Sequence, residues 1–242
     1  MIDLHSHIIP GIDDGARSIE DSIALLEQSA QQGVSKILFT PHITPRAFDN
    51  DSYSITTAFT AHESALRSVA GIEVAFACEA RIHADLPFAI SSGQVPLIKG
   101  HNGNKYLLLE LPTREIPVAT DLVVDWLLDE GITPIIAHPE RNTVIQNKPG
   151  ELRKLVRKGC MSQITAGSLL GKFGPTAQES GWTFIEKELA HIVASDTHNL
   201  QYRPNLMSDA RTAVAEKLGE SVAEAYFITT PKLISEGMFN QW

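Results

Sequence analysis

Cysteine is scarce in this 242-residue chain: only Cys78 and Cys160 are present, far apart. They make neither a Cys-x-x-Cys pair nor a zinc-ribbon spacing, which argues against a disulfide framework and for a reducing compartment. Long apolar runs are missing too. Nothing approaches the roughly 18 consecutive residues of a membrane span, and Met1 runs into the first apolar stretch without a basic leader, so a cytoplasmic location is expected. Basic charge is in short supply. Lys and Arg number 20 against 29 Asp and Glu, a net charge of −9. Phosphate-backbone binding needs a basic face, so no nucleic-acid partner is expected. A glycine-rich phosphate loop after the first strand is also absent, which disfavours a dinucleotide-binding sheet. With no repeat, low-complexity segment or linker to divide it, the chain reads as one domain over 1–242.

What is present is a recurring unit, a short apolar run that ends in a polar residue able to bind a metal. Met1 to Gly15 suits a short strand that carries His5 and His7 two positions apart, hence on one face, with Asp14-Gly15 in the turn beyond. Residues 36–42 end in Thr40-Pro41-His42, 73–79 in Glu79, 106–112 in Glu110-Leu111-Pro112, and 133–139 in His138-Pro139. Residues 161–166 run into Gly167-Ser168, and 191–198 carry Asp196 and His198. Between them lie helical patterns over about 18–32, 56–69, 119–130, 149–158, 175–189 and 205–218, with Ser18-x-x-Asp21 as an N-terminal cap and a short tail at the end. The segment 43–55, with Asp49, Asn50 and Asp51, reads as a solvated loop. Near-continuous apolar strands alternating with helices predict an α/β fold with a parallel barrel or wound sheet. In barrels, functional groups sit at the C-terminal ends of the strands.

Collected from those ends, His5, His7, Asp14, His42, Glu79, Glu110, His138, Asp196 and His198 exceed what one ion can use. Two or three divalent ions bridged by carboxylates would satisfy them, and a nitrogen and oxygen set without thiolate suits manganese, iron or zinc. A hydroxide held between such ions is a strong nucleophile at neutral pH, and the ions neutralise charge on a phosphoryl group. Gln163, Thr165 and Ser168 are candidate hydrogen-bond supports for the ligands.

These motifs, together with His138-Pro139-Glu140-Arg141-Asn142, Gly167 to Gly174 and Ser195-Asp196-Thr197-His198, resemble the polymerase and histidinol phosphatase (PHP) superfamily. More narrowly, they resemble its bacterial metal-dependent protein-tyrosine phosphatases of the CpsB/YwqE type, over nearly the whole chain. The resemblance implies a distorted (β/α)7 TIM-like barrel and a trinuclear site, usually containing manganese. It also implies hydrolysis of phosphotyrosine by a metal-bridging hydroxide, on the tail of a membrane-associated tyrosine autokinase controlling capsular or exopolysaccharide synthesis. By position, His5, His7, Glu79 and Asp196 would hold one ion, Glu79 bridging to a second held by Glu110 and His138. Asp14, His42 and His198 would hold the third, and Arg141 and Arg203 would bind the phosphate. Ile43 departs from the pattern where a second histidine often follows, and Ala80 where a larger residue is usual. The competing readings are a small-molecule phosphatase of the histidinol-phosphate type and a non-catalytic metal- or phosphate-binding regulator. A cysteine-dependent mechanism is disfavoured, because Ala84 and Ala166 stand where a Cys-x5-Arg motif needs arginine.

Overall fold

The computed structural model describes residues 1–239. Its strands are β1 (Ile2–Asp3), β2 (Lys36–Phe39), β3 (His42–Ile43), β4 (Glu73–Phe76), β5 (Glu79–Arg81), β6 (Ile98–Lys99), β7 (Lys105–Glu110), β8 (Ile132–Ala137), β9 (Met161–Thr165) and β10 (Ile192–Ala194). They pair in the orders β1-β2-β4 and β10-β9-β8-β7-β5-β3, all parallel, with β6 antiparallel on β7.

The strands expected over 36–42 and 73–79 are each broken in two, at Thr40-Pro41 and at Ala77-Cys78. Pro41 has no N–H for a ladder, and the break lets one stave pass from the first sheet to the second. Backbone bonds bridge the gap, Ala77 N donating to Phe39 O at 2.8 Å and Glu79 N to Pro41 O at 3.1 Å. On the opposite flank, Asp196 N donates to His5 O and His7 N to Thr197 O, both at 2.9 Å, which joins the last stave to the first. The result is a closed but distorted (β/α)7 barrel, the architecture expected from the alternating pattern.

Helices α1 (Ile19–Gln31), α2 (Ser52–Leu66), α3 (Leu86–Ser91), α4 (Thr120–Asp129), α5 (Thr143–Asn147), α6 (Gly150–Lys158), α7 (Ala166–Leu169), α8 (Pro175–Glu186), α9 (Met207–Leu218), α10 (Glu220–Glu224) and α11 (Thr230–Phe239) accompany the strands. Ser18 caps α1 by accepting from Asp21 N, as its spacing predicts. Helix α2 begins four residues before the expected position because Asp51 caps it. The Asp51 carboxylate accepts from Ser54 N at 2.8 Å, and Asp51 N donates to the Ser54 hydroxyl at 2.9 Å. Asn50 is also engaged rather than solvated, its amide donating to the carbonyls of Ile12 and His42.

Strand alternation divides the core. Ile37, Phe39, Val74, Leu107, Leu109, Ile136 and Val193 face the helices. Ile2, Leu4, Leu38, Ala75, Ala77, Leu108, Ile135, Ala137 and Ile192 form a separate cluster, completed by Ile234 and Phe239 of α11. The segment after residue 218 is therefore no short tail. Its apolar positions pack as α10, a π-helical turn (Ala225–Thr229) and α11, and α11 lies against β1, β4 and β6.

Candidate metal centre

The strand that presents the first histidines pairs regularly only over Ile2–Asp3, yet the chain stays extended enough to bring the His5 and His7 Nε2 atoms within 3.1 Å. Each ring is oriented from behind. His5 Nδ1 donates to Gln163 Oε1 at 2.9 Å, and His7 Nδ1 to Asp13 Oδ2 at 2.7 Å. With those protons committed, a neutral ring would offer its Nε2 lone pair to a cation; burial opposes charge on both, while Glu79 and Asp196 beside His5 and Asp13 beside His7 raise their pKa. Glu79 Oε2 stands 3.1 Å from His5 Nε2 and 3.4 Å from His7 Nε2, and Asp196 Oδ1 3.3 and 3.5 Å.

The same pattern recurs beside it. His198 Nδ1 donates to the Asp196 carbonyl at 3.0 Å, leaving Nε2 buried without a hydrogen-bond partner, 3.3 Å from Asp14 Oδ1. His42 Nδ1 is likewise unpartnered although Glu79 Oε2 lies 3.1 Å away, and Asp196 Oδ1 accepts no bond. Three groups of donors are close enough to share a cation: His5, His7 and Asp196; His7, Asp14, His42 and His198; and His42, Glu79 and Glu110. His138 joins through Glu79, its Nε2 2.9 Å from Glu79 Oε1 and 4.0 Å from Glu110 Oε1. Converging imidazole nitrogens and carboxylate oxygens, three of them buried without a hydrogen-bond partner, are what a divalent cation fits.

Strand register brings the donors together, since β3 sets His42 opposite Glu79 and β5 sets Arg81 opposite Glu110. Two donors sit in left-handed backbone within two residues of a strand's end, His138 at φ 34° and Asp196 at φ 54°. Such conformations cost about 1–3 kcal/mol in non-glycine residues and gather at functional sites. Gly15 closes the turn against His7, where a Cβ would lie 2.0 Å from the His7 carbonyl oxygen.

Burial opposes charge on these groups and their partners restore it selectively. Glu79 is held well below the usual carboxylate range by His5 and His42, and Asp196 by His5, Arg203 and Arg141, against the desolvation both suffer. Burial pushes His138 and His198 down to about 4, so both are neutral and can lend a lone pair.

Arg141 and Arg203 line a cavity of about 220 Å³ together with Asp14, His42, Phe48, Glu79, Arg81, Glu110, His138 and Asp196. Both guanidiniums donate to Asp196 Oδ2, Arg203 from 2.6 Å. Arg141 forms its ion pair with Asp196 and not with its sequence neighbour Glu140. Glu140 is buried and accepts instead from Thr165 N at 3.0 Å and Ser168 Oγ at 2.7 Å. Of the three expected supports, only Gln163 therefore touches a proposed ligand directly. Asp13, Arg81 and Phe173, whose ring lies 4.5 Å below the Arg141 guanidinium, were not singled out from sequence. The Asp-Asp-Gly turn and the Glu-x-Arg spacing were the available signals for the first two. Neither thiol belongs to the site: Cys78 and Cys160 are buried, and Cys78 Sγ contacts the Pro96 carbonyl.

Fold and site define a class: a distorted α/β barrel whose C-terminal mouth carries a histidine and carboxylate cluster able to hold metal. Within it, a family model described as capsular polysaccharide synthesis, CpsB/CapC, matches residues 1–236, and the chain belongs to that family. It is similar to the tyrosine-protein phosphatase YwqE of Bacillus subtilis, at 34% identity over 92% of this chain and 87% of the relative. The tyrosine-protein phosphatase CpsB of Streptococcus pneumoniae is 32% identical over 97% and 98%. Crystal structures of YwqE and CpsB, described as unique metal-dependent tyrosine phosphatases, provide a match with a TM-score of 0.84 at 33% identity, covering 92% of this chain and 90% of that one. No helix among the described residues is long and apolar enough to cross a membrane.

Proposed function

We propose that this chain is a metal-dependent protein-tyrosine phosphatase acting in the cytoplasm, as a single domain, on the phosphotyrosine tail of a membrane-associated tyrosine autokinase in capsular or exopolysaccharide synthesis. Family membership and the names of its relatives support the reaction class. The observation that carries it to these residues is the single cavity in which unshared lone pairs face two guanidiniums.

In this reading His5, His7, Glu79 and Asp196 hold one cation, Glu79 shares a second with Glu110 and His138, and Asp14, His42 and His198 hold a third. The donor set favours manganese, with iron or zinc compatible. When bound, two or three such ions neutralise charge developing on phosphoryl oxygens and lower the pKa of nearby water. Arg141 and Arg203 bind the substrate phosphate in the planar fork that suits its oxygens. Asp196 aims both guanidiniums before substrate arrives, and the ring of Phe173 supports the plane of Arg141. Glu140 ties the turn that carries Arg141 to the adjoining strand.

Purified protein stripped of metal and reloaded with manganese should hydrolyse a phosphotyrosine peptide and lose that activity to a chelator. Absence of turnover by the loaded protein overturns the reading. Faster hydrolysis of histidinol phosphate than of the peptide would move it to the small-molecule phosphatases.

A further inference from the structure

Glu79 and Arg81 lie two apart on β5, so their side chains leave the same face of the strand, toward the barrel mouth. Register places Arg81 directly opposite Glu110 on β7. The consequence is a cross-strand ion pair in which Arg81 Nε donates to Glu110 Oε2 at 2.7 Å. Among the described residues neither terminal nitrogen of Arg81 has a hydrogen-bond or ion-pair partner. The side chain is 28% exposed and lines the same cavity as Arg141 and Arg203.

The three arginines share one design. Each is anchored on a carboxylate of the donor cluster, Arg141 and Arg203 on Asp196 and Arg81 on Glu110. They reach the cavity from different staves: Arg141 follows β8, Arg203 follows β10, and Arg81 closes β5. A phosphate monoester presents three terminal oxygens with two negative charges. Guanidiniums on separate walls meet those oxygens from separate directions, and a guanidinium held at Nε keeps its two terminal nitrogens free to donate.

We infer that Arg81 is a third phosphate-binding residue, its free terminal nitrogens donating to the substrate phosphate while Glu110 holds it in place. The inference rests on the phosphomonoesterase reading of the site. It also explains why an arginine occupies the position. A group needed only to support Glu110 has no use for two further donor nitrogens.

The test uses manganese-loaded wild type, Arg81→Ala and Arg81→Lys. Inorganic phosphate is titrated into each by calorimetry and also used as an inhibitor of phosphotyrosine-peptide hydrolysis, with metal content and melting temperature measured on the same samples. Loss of one charge-assisted contact should weaken phosphate roughly ten- to hundredfold in Arg81→Ala, in both the dissociation and the inhibition constant. Metal content should hold, and Arg81→Lys should recover part of the affinity because it keeps the charge without the fork. Unchanged phosphate affinity in Arg81→Ala overturns the inference, and a joint fall of metal content and activity would show that Arg81 only supports Glu110. If wild type fails to hydrolyse the peptide, the phosphatase reading falls, and the calorimetric phosphate constants still decide the role of Arg81. Should Arg81→Ala not fold, Arg81→Lys carries the same comparison.

Discussion

The Asp13 carboxylate accepts from His7 Nδ1 at 2.7 Å with one oxygen, which also takes the His42 N–H at 3.2 Å, while its other oxygen takes the Gly15 N–H at 2.9 Å. One side chain thus fixes the tautomer of His7 and the position of His42, two rings that face Asp14 from different strands. Carboxylates behind ligating histidines commonly carry ten- to hundredfold in metal affinity. Asp13→Ala should therefore fold and weaken manganese binding by about that factor, with activity restored at high manganese. A manganese titration followed by activity and by metal analysis checks it, and unchanged affinity would mean that His7 is oriented by its backbone alone.

Gly15→Ala should be more damaging than its size suggests. The added methyl meets the His7 carbonyl and Cβ within 2.5 Å, contacts made by backbone and by the root of the side chain, so the turn must shift. The expected result is a loss of bound metal and at least a tenfold fall in activity. Metal content after dialysis reports it.

The thiols should be inert. Burial disfavours the charged thiolate, which pushes Cys78 far up and Cys160 up to about 12. At neutral pH both are protonated, and the fraction of thiolate grows only as pH rises toward those values. Alkylating reagents at pH 7 should leave activity intact, and the Cys78→Ser, Cys160→Ser double variant should keep most of its kcat. Inactivation of the folded, metal-loaded protein by such a reagent would count against a metal-dependent mechanism.

Arg141→Ala should fold, keep its metals and lose roughly a hundred- to thousandfold in kcat, since its contact strengthens as charge builds on the phosphate. Phe173→Leu should give a milder loss, about two- to thirtyfold, because a cation over a ring is worth roughly 0.5–2 kcal/mol. The two should not add. With Arg141 gone the ring has nothing to support, so the double variant should resemble Arg141→Ala alone. Measured kcat across the four proteins decides, and full additivity would separate Phe173 from Arg141.

Much of the fold was legible because apolar runs and helical spacings each report a local period. The cap at Ser18, the alternation of strand and helix, and the placement of Glu110 and His138 where β7 and β8 end all followed from that, whereas His42 and Glu79 open the second halves of split staves. The splitting of two staves did not, since whether Pro41 interrupts a strand or moves it to a second sheet depends on its neighbours. Asp51 was passed over because an acid in a polar segment looks alike whether it caps a helix or faces water. Asp13 was hidden by Asp14: adjacent acids in one turn are indistinguishable by type, and only the fold shows which faces the His7 ring. The Glu-x-Arg spacing put Arg81 on the face of Glu79, but its pairing with Glu110 depends on register, which sequence periodicity leaves open by two residues in either direction.

The helix at the end of the chain bears on the kinetics. Ile234 and Phe239 pack with Leu4, Leu38 and Ala137 in a cluster that shares no residue with the cavity, so reactant and products are expected to use the one mouth that Arg81, Arg141 and Arg203 line. On a phosphotyrosine substrate the tyrosine side chain would sit nearer the opening than the phosphate it carries, so the dephosphorylated protein should depart first and the inorganic anion last. Release in that order makes the second product a competitive inhibitor and the first a noncompetitive one, and the rate at which the anion leaves becomes a ceiling on turnover.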